Sequence, residues 1–190
     1  MSIVFKGKYV NLRTIALEDA EITLKWRLGN RAKLMKSGSK TVDEQRSWIQ
    51  KALEKSTEVT YIMEFRNQPV GMVGICNIDL NYRNCSLERL LIGEIDLVGK
   101  FPIAYETELL LCDYIFDVLK MHKLYGDVLE ENKNMINFRK YLGYSFDGLL
   151  RDHYVINNNF KSTFCVSILE HEYKNKVRNK LIFLINLATL

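Results

Sequence analysis

Asn132 stands at the mouth of a short helical pattern, directly after a strand-like run: "HKLYGDVL" leads into "EENKNMINFRKYLGY". An asparagine there can cap the helix, its side-chain oxygen accepting a backbone N–H of the first turn. It can equally aim its amide at a polar ligand lying between two strand–helix units. A second such unit is "LLIGEIDLVGKFPIAYETELLL", where a strand, a loop holding Lys100 and a helix follow one another. A helix N-terminus after a strand offers free N–H groups and the positive end of the helix dipole, which suits a phosphate or pyrophosphate. Other chemistries lack their spacing. There is no GxxxxGK[ST] and no GxGxxG. Cys76, Cys85, Cys112 and Cys165 include no CxxC, and His122, His153 and His171 lie far apart, so no metal is expected. Spacing alone supports no Ser-His-Asp or Cys-His arrangement.

The elements that must position these residues read as follows. "KYVNLRTI" is an opening strand. "LEDAEITLKWRL" puts Leu17, Ala20, Leu24 and Leu28 on one helical face. "TVDEQRSWIQKALEKS" is a second helix, with Thr41 and Glu44 in a capping-box pattern and Trp48, Ile49, Ala52 and Leu53 as its apolar face. "VTYIMEFRNQPVGMVGICNIDL" is a hairpin turning at "RNQPVG". "SLERLLIGEIDLV" is a fourth strand, with Gly93 marking a bulge or a close backbone approach. A helix from Tyr105, the strand "KLYGDVL", the helix "KNMINFRKYL" and a closing strand pair complete the order β-α-α-β-β-β-α-β-α-β-β, an α/β sheet with mixed strand directions. The division expected is 1–172 for the main domain and 173–190 for a basic, then apolar, tail. That tail packs as a helix or strand on the body, or against a partner subunit in a homodimer. Its cationic flank also suits a membrane surface, and it is too short to span one.

A chain of 190 residues, 47% apolar and 26% charged, can bury a sizeable core as one domain, and only two prolines argue against linkers. The net charge of +4 is compatible with an anionic ligand such as a nucleotide or coenzyme. No basic stripe lies beside stacking aromatics, so nucleic acid is not an expected partner. No apolar run reaches the roughly 18 residues of a transmembrane segment, and "MSIVFKGKYV" lacks a signal region, so a reduced, cytoplasmic protein is expected.

Over about residues 3–170, six soft motifs in order resemble the GNAT superfamily of acyl-CoA-dependent N-acetyltransferases. The nearest likeness is to its Rim-type ribosomal-protein and amino-sugar branch. The motifs are "VNLRTIALEDAEITLKWR", "TVDEQRSWI", "IGE…GK…YETELLLCDYIF", "DVLEENKNMINF", "RKYLGY" and "FDGLLRDHYVINNNFKSTFCVSIL". The resemblance implies a GNAT fold: a mixed, mostly antiparallel central sheet flanked by helices and splayed between the fourth and fifth strands. It implies acetyl-CoA as cosubstrate, with the pantetheine arm inserted into the splay like an added strand. The coenzyme pyrophosphate would sit on the loop and helix start after the fourth strand. The implied contacts are Ile95, Asp96 and Leu97 on that strand, whose backbone N–H groups would also hold the tetrahedral oxyanion. Gly99, Lys100, Ala104 and Tyr105 follow in the loop and helix start, and Asn132 matches the family asparagine that faces the coenzyme arm.

The chain departs from the family pattern twice. Many members place a tyrosine seven residues after the asparagine, the usual candidate to protonate the departing thiolate. Here that position is Arg139. Arginine cannot act as a general acid near neutral pH. It can stabilise a thiolate or a coenzyme phosphate by charge; a solvated helix face is the other reading. The phosphate loop, Gln/Arg-x-x-Gly-x-Gly/Ala in the family, has Gly99, Pro102 and Ala104 at those places. Only Ala104 conforms, and Pro102 has no N–H to offer.

The implied reaction, attack of an amine on a thioester, needs a base to take the amine's proton. Glu94 is the first candidate, on the strand beside the expected thioester. His153 is the second, on a closing strand, with an ordinary pKa suited to the task. The expected acceptor is the primary amine of a nucleotide-linked amino sugar, whose negative charge suits the chain's mild positive one. A protein N-terminus and a non-catalytic acyl-CoA-binding module are the alternatives.

Overall fold

The computed structural model describes residues 3–35, 38–156 and 158–187. Its strands are β1 (Ile3–Lys6), β2 (Val10–Thr14), β3 (Val59–Phe65), β4 (Gln68–Asp79), β5 (Asn84–Ile92), β6 (Lys123–Leu129), β7 (Ser145–Ile156) and β8 (Asn159–Leu169). They form one sheet in the order β1-β2-β3-β4-β5-β6-β8-β7, antiparallel throughout except for β5 beside β6. Side chains alternate across it: Tyr61, Met63 and Phe65 enter one core, and Ile62 enters the other. α1 (Ala20–Leu28) and α2 (Val42–Glu54) cover the Ile62 face. The opposite face carries α4 (Ile103–Asp113) and α5 (Lys133–Leu142), beyond a four-residue helix, α3 (Ile95–Val98).

Local chemistry explains most of these boundaries. Thr41 Oγ1 accepts the Glu44 N–H at 3.2 Å and the Glu44 carboxylate accepts the N–H groups of Lys40 and Thr41, so α2 starts where its capping box predicts. The β3–β4 turn needs two residues, Arg66 and Asn67, both with positive φ (52° and 61°), the geometry that matches strand twist. In α1 the apolar stripe is narrower than its spacing suggests. Ala20, Leu24 and Trp26 are buried, while Leu28 is exposed.

Two differences from the sequence reading matter for the site. First, β1 adds a strand before "KYVNLRTI", which itself forms β2. The turn between them is tied to α4 by the Glu106 carboxylate, which accepts the N–H groups of Lys8, Tyr9 and Val10 at 2.6–2.7 Å. Counted along this chain, the splayed pair is therefore β5 and β6, the same two segments expected as fourth and fifth. Second, the strand expected to run to Val98 ends at Ile92. The N–H groups of Gly93 and Glu94 both turn to the Val70 carbonyl, at 2.8 and 3.1 Å, and the chain enters α3. Gly93 does mark a close approach, because a Cβ there would lie 2.2 Å from the Trp26 ring.

The segment after residue 172 packs on the body as a helix, one of the arrangements expected of it. α6 (Glu170–Glu172), a π-helical turn at Tyr173–Val177 and α7 (Arg178–Leu187) follow one another, and Tyr173, Val177 and Leu181 are buried against α4 and its neighbours. Tyr173 stacks on Phe116 at 5.1 Å, and its hydroxyl donates to Asp113 at 2.7 Å. Residues 188–190 of the expected tail lie outside the described residues. Among the described residues, no helix is long and apolar enough to cross a membrane.

Candidate active site

β5 and β6 pair only over Asn84↔Lys123, Cys85↔Leu124 and Ser86↔Tyr125. Past that neck, Leu87–Ile92 and Gly126–Leu129 part company while their outer edges stay paired with β4 and β8. The neck is tight at Gly126, where a Cβ would meet the Leu87 carbonyl at 3.3 Å. The wedge opens into a cavity of about 330 Å³ that reaches both faces of the sheet. Asn132, Met135 and Arg139 line its α5 end; Gln45, Trp48 and Met72 line its α2 end. Two open strand edges present N–H and C=O groups to any extended guest, which can bond to them as an added strand would.

A β-bulge shapes the β5 side. The register with β4 steps from Gly74↔Glu88 to Met72↔Leu91, so Arg89 and Leu90 together oppose one residue, and Arg89 has φ 60°. The extra residue breaks the alternation. Cys85 and Leu87 enter the α4–α5 core, so Glu88 points to the α2 face, and the bulge turns Arg89 there too. Glu88 Oε1 accepts from Ser86 Oγ at 2.9 Å and Asn77 Nδ2 at 3.3 Å. Arg89 lies over Trp48 at 5.2 Å, and its guanidinium donates to Glu58 at 2.8 Å and to Cys76 Sγ at 2.9 Å. From β6, Asp127 accepts the Tyr154 hydroxyl at 2.5 Å in the same end of the cavity.

The α5 end is built differently. Asn132 caps α5, its Oδ1 accepting the Met135 N–H at 3.1 Å, and it lines the cavity as well. Arg139 is buried, not solvated. Its guanidinium donates to Glu108 of α4, and the Tyr144 hydroxyl donates to the same carboxylate oxygen. Burial works against the Arg139 charge, but Glu108 first, then Tyr144 and Cys112, more than offset it, so its pKa rises. Burial above all, with the Glu108 charge beside it, holds the Tyr144 phenol well above its ordinary range. A fixed positive charge thus faces the wedge from the α5 side.

The sequence model of the acetyltransferase (GNAT) domain matches residues 10–145. That span holds both strands of the wedge and the helices flanking it. The chain belongs to the GNAT acetyltransferase family. The spermidine N(1)-acetyltransferase of Escherichia coli (strain K12) is 27% identical over 123 residues, 65% of this chain. The match spans 64% of that relative's length, less than two thirds of it. The protein of the same name from Vibrio cholerae serotype O1 is 24% identical over 166 residues, 85% of this chain and 94% of that one. In fold, a GCN5-related N-acetyltransferase from Brucella melitensis superposes with a TM-score of 0.80 at 20% identity, covering 94% of this chain and 83% of that one. Where the sequence motifs point to a Rim-type or amino-sugar branch, these curated relatives are named for spermidine.

Within this GNAT fold, the residues singled out from the sequence fall into two groups. Asn132 and Arg139 come together at the wedge. The rest do not line its cavity. Ile95, Asp96 and Leu97 lie in α3, not on the strand expected to carry them. Gly99 ends α3 at φ 57°, followed by Lys100, and α4 begins at Ile103 behind Pro102, so Ala104 and Tyr105 are already inside its first turn. Tyr105 stacks on Phe138 at 5.4 Å, joining α4 to α5. Glu94 caps off the end of β5, where its Oε1 accepts from Lys25 Nζ at 2.7 Å and Trp26 Nε1 at 2.8 Å. The Lys25 bond first, then Trp26, lowers the Glu94 pKa, which makes it a weaker base. His153 is exposed on β7 beside Tyr154, and it is Tyr154 that reaches the cavity. Glu88, Arg89, Asp127 and Tyr154 line the cavity, and sequence reasoning missed them.

Proposed function

We propose that the protein is an acetyl-CoA-dependent N-acetyltransferase acting on a primary amine of a small molecule, with the β5–β6 wedge as its reaction site. The observation that carries this reading is the wedge itself: two open strand edges with a bulge and a carboxylate on one side and a fixed positive charge on the other. The pantetheine arm would lie against the open edges and enter from the α5 end, past Asn132. The amine would approach from the α2 end. Glu88 is the candidate base: it takes the amine proton as the new C–N bond forms. The backbone N–H groups of Arg89 and Leu90, at the bulge where the register with β4 shifts, are the candidates to hold the oxyanion. When the C–S bond breaks, the sulfur leaves as a thiolate, which Arg139 stabilises by charge until solvent supplies a proton.

The names of the curated relatives support a polyamine acceptor, and Glu88 and Asp127 suit an ammonium group. Thiol release from acetyl-CoA across a panel of spermidine, amino sugars and peptide N-termini tests the reading. At least one amine is expected to accelerate release well above hydrolysis. Calorimetry with coenzyme A alone separates the alternatives. Binding without turnover on any amine would leave an acyl-CoA-binding module, and no binding at millimolar coenzyme A would overturn the assignment.

A further inference from the structure

Glu88 stands just past the neck, on the part of β5 that has left β6. Across β4 it faces Gly74, which has no side chain to pack on it. Its carboxylate takes its hold elsewhere. The last neck residue of β5 is Ser86, paired with Cys76 on β4 and with Tyr125 on β6. Two residues before Glu88, it lies on the same face of the strand, and it is 1% exposed. Ser86 Oγ donates to Glu88 Oε1 at 2.9 Å. The Cys76 carbonyl stands 3.2 Å from the same hydroxyl, but a charged acceptor holds the hydrogen more strongly. Asn77 arrives from β4. Ile75 enters the α4–α5 core, so strand alternation would send Asn77 there too. Instead the register with β5 slips between Cys76 and Asp79, and Asn77 takes φ 52°, a conformation that asparagine adopts more readily than most residues. The slip turns its amide onto the α2 face, where Nδ2 donates to Ser86 Oγ at 3.0 Å and to Glu88 Oε1 at 3.3 Å. The donors to Glu88 thus converge on Oε1, and among the described residues no hydrogen bond engages Oε2. The Glu88 charge is felt across the neck: burial first, then Glu88, raises the Tyr125 pKa.

We propose that Ser86 and Asn77 are positioning residues for the transfer reaction: they hold Glu88 by one oxygen and leave the other to meet the acceptor amine. The proposal rests on the reading of Glu88 as the base. As the amine nitrogen bonds to the thioester carbon, the N–H bond breaks and its proton passes to Oε2. The neutral carboxyl that results still accepts through Oε1. A glutamate side chain is rich in rotamers and would sample many of them in an open wedge. Anchoring one oxygen keeps the other within reach of the amine, so less of the barrier goes to orienting the base. Ser86 belongs to both neighbouring ladders, so the pair ties the base to the rigid neck instead of to the free edge.

The test is kcat for Ser86→Ala and Asn77→Gly, each made in the wild-type chain and in Glu88→Gln, at saturating acetyl-CoA and with the best amine of the panel. Glycine suits the φ of 52°, and Asn77 is exposed, so Asn77→Gly should fold even if the buried Ser86→Ala does not. In the wild-type chain Ser86→Ala should lower kcat by about 10- to 100-fold, the cost of a misplaced group. Asn77→Gly should lower it by a smaller factor, and coenzyme A affinity and amine KM should change little in both. In Glu88→Gln neither change should lower kcat further by more than a few-fold, because residues acting through one group are not additive. A purely structural role would cost the same factor in both backgrounds. Equal losses in both backgrounds, a loss confined to KM, or a normal kcat in both single variants would overturn the proposal. Glu88→Gln with a normal kcat, or no turnover on any amine, would remove the base and the proposal with it. A collapsed Glu88→Gln beside normal Ser86→Ala and Asn77→Gly would remove the proposal alone.

Discussion

Glu88→Gln is expected to lower kcat by about 100- to 10,000-fold, the usual cost of losing a general base, while coenzyme A affinity stays the same. Glu88 is the carboxylate on the open strand of the wedge, next to the bulge, on the face proposed for the acceptor. Glutamine keeps the size, and its side-chain oxygen can still accept from Ser86 and Asn77. The fold should survive, so the effect is read as chemistry. Glu94→Gln is the matched control. Its carboxylate is engaged by Lys25 and Trp26 outside the cavity, so kcat should change by no more than a few-fold. The opposite pattern, a normal Glu88→Gln and a collapsed Glu94→Gln, would remove Glu88 from the mechanism. The pair is informative because both residues change charge by one and differ only in where the chain puts them.

Arg139→Ala should cost roughly 3–5 kcal/mol of stability, because it strands a buried, charged Glu108. For a chain of this size that corresponds to a fall in Tm of roughly 6–20 °C. Glu108 has no exposed surface, and its second oxygen, Oε2, has no hydrogen-bond partner. Losing Arg139 therefore leaves Tyr144 as the remaining donor to this carboxylate among the described contacts. The double variant Arg139→Met with Glu108→Leu removes both charges and should recover most of the lost stability. It should not recover turnover if the guanidinium stabilises the departing thiolate. Scanning calorimetry gives the first part, and thiol release at saturating acetyl-CoA gives the second. A single variant with an unchanged Tm would mean that the pair is not buried in solution. A double variant with full kcat would confine Arg139 to a structural role.

What the sequence makes legible here is mostly local. Thr41 with Glu44, and Asn132 before its helix, are caps that depend on three or four consecutive residues, and both form as their spacing says. The two segments are also legible as strand–helix patterns, while their splay follows from the family resemblance alone. The end of β5 is not. "LLIGEIDLV" continues as an apolar run with strand-like alternation, and a four-residue helix is too short to show a helical period. Reading the strand through to Val98 puts the expected oxyanion donors at Ile95–Leu97 rather than at the proposed Arg89–Leu90. It also favours Glu94 over Glu88, six residues apart and of the same parity in a strand. A bulge is invisible in composition, and this one decides which side chains face the cavity. The same holds on β7, where the register shift between Leu150 and Tyr154, with Asp152 at φ 51°, leaves His153 outside and brings Tyr154 in. Arg139 is legible as a departure from a motif. Its partner Glu108 lies 31 residues away on another helix and is fixed only by tertiary packing.

Amide hydrogen exchange with and without coenzyme A tests the wedge most directly. Beyond Ser86 and Tyr125, the inner edges of β5 and β6 have no strand partner, so their inward N–H groups should exchange readily in the free protein. On adding coenzyme A, protection should appear in Leu87–Ile92, Gly126–Leu129 and the Asn132 cap, and the neck at Asn84–Ser86 should change little. Saturating coenzyme A that leaves Leu87–Ile92 unprotected, or that protects only residues remote from both strands, would contradict the account.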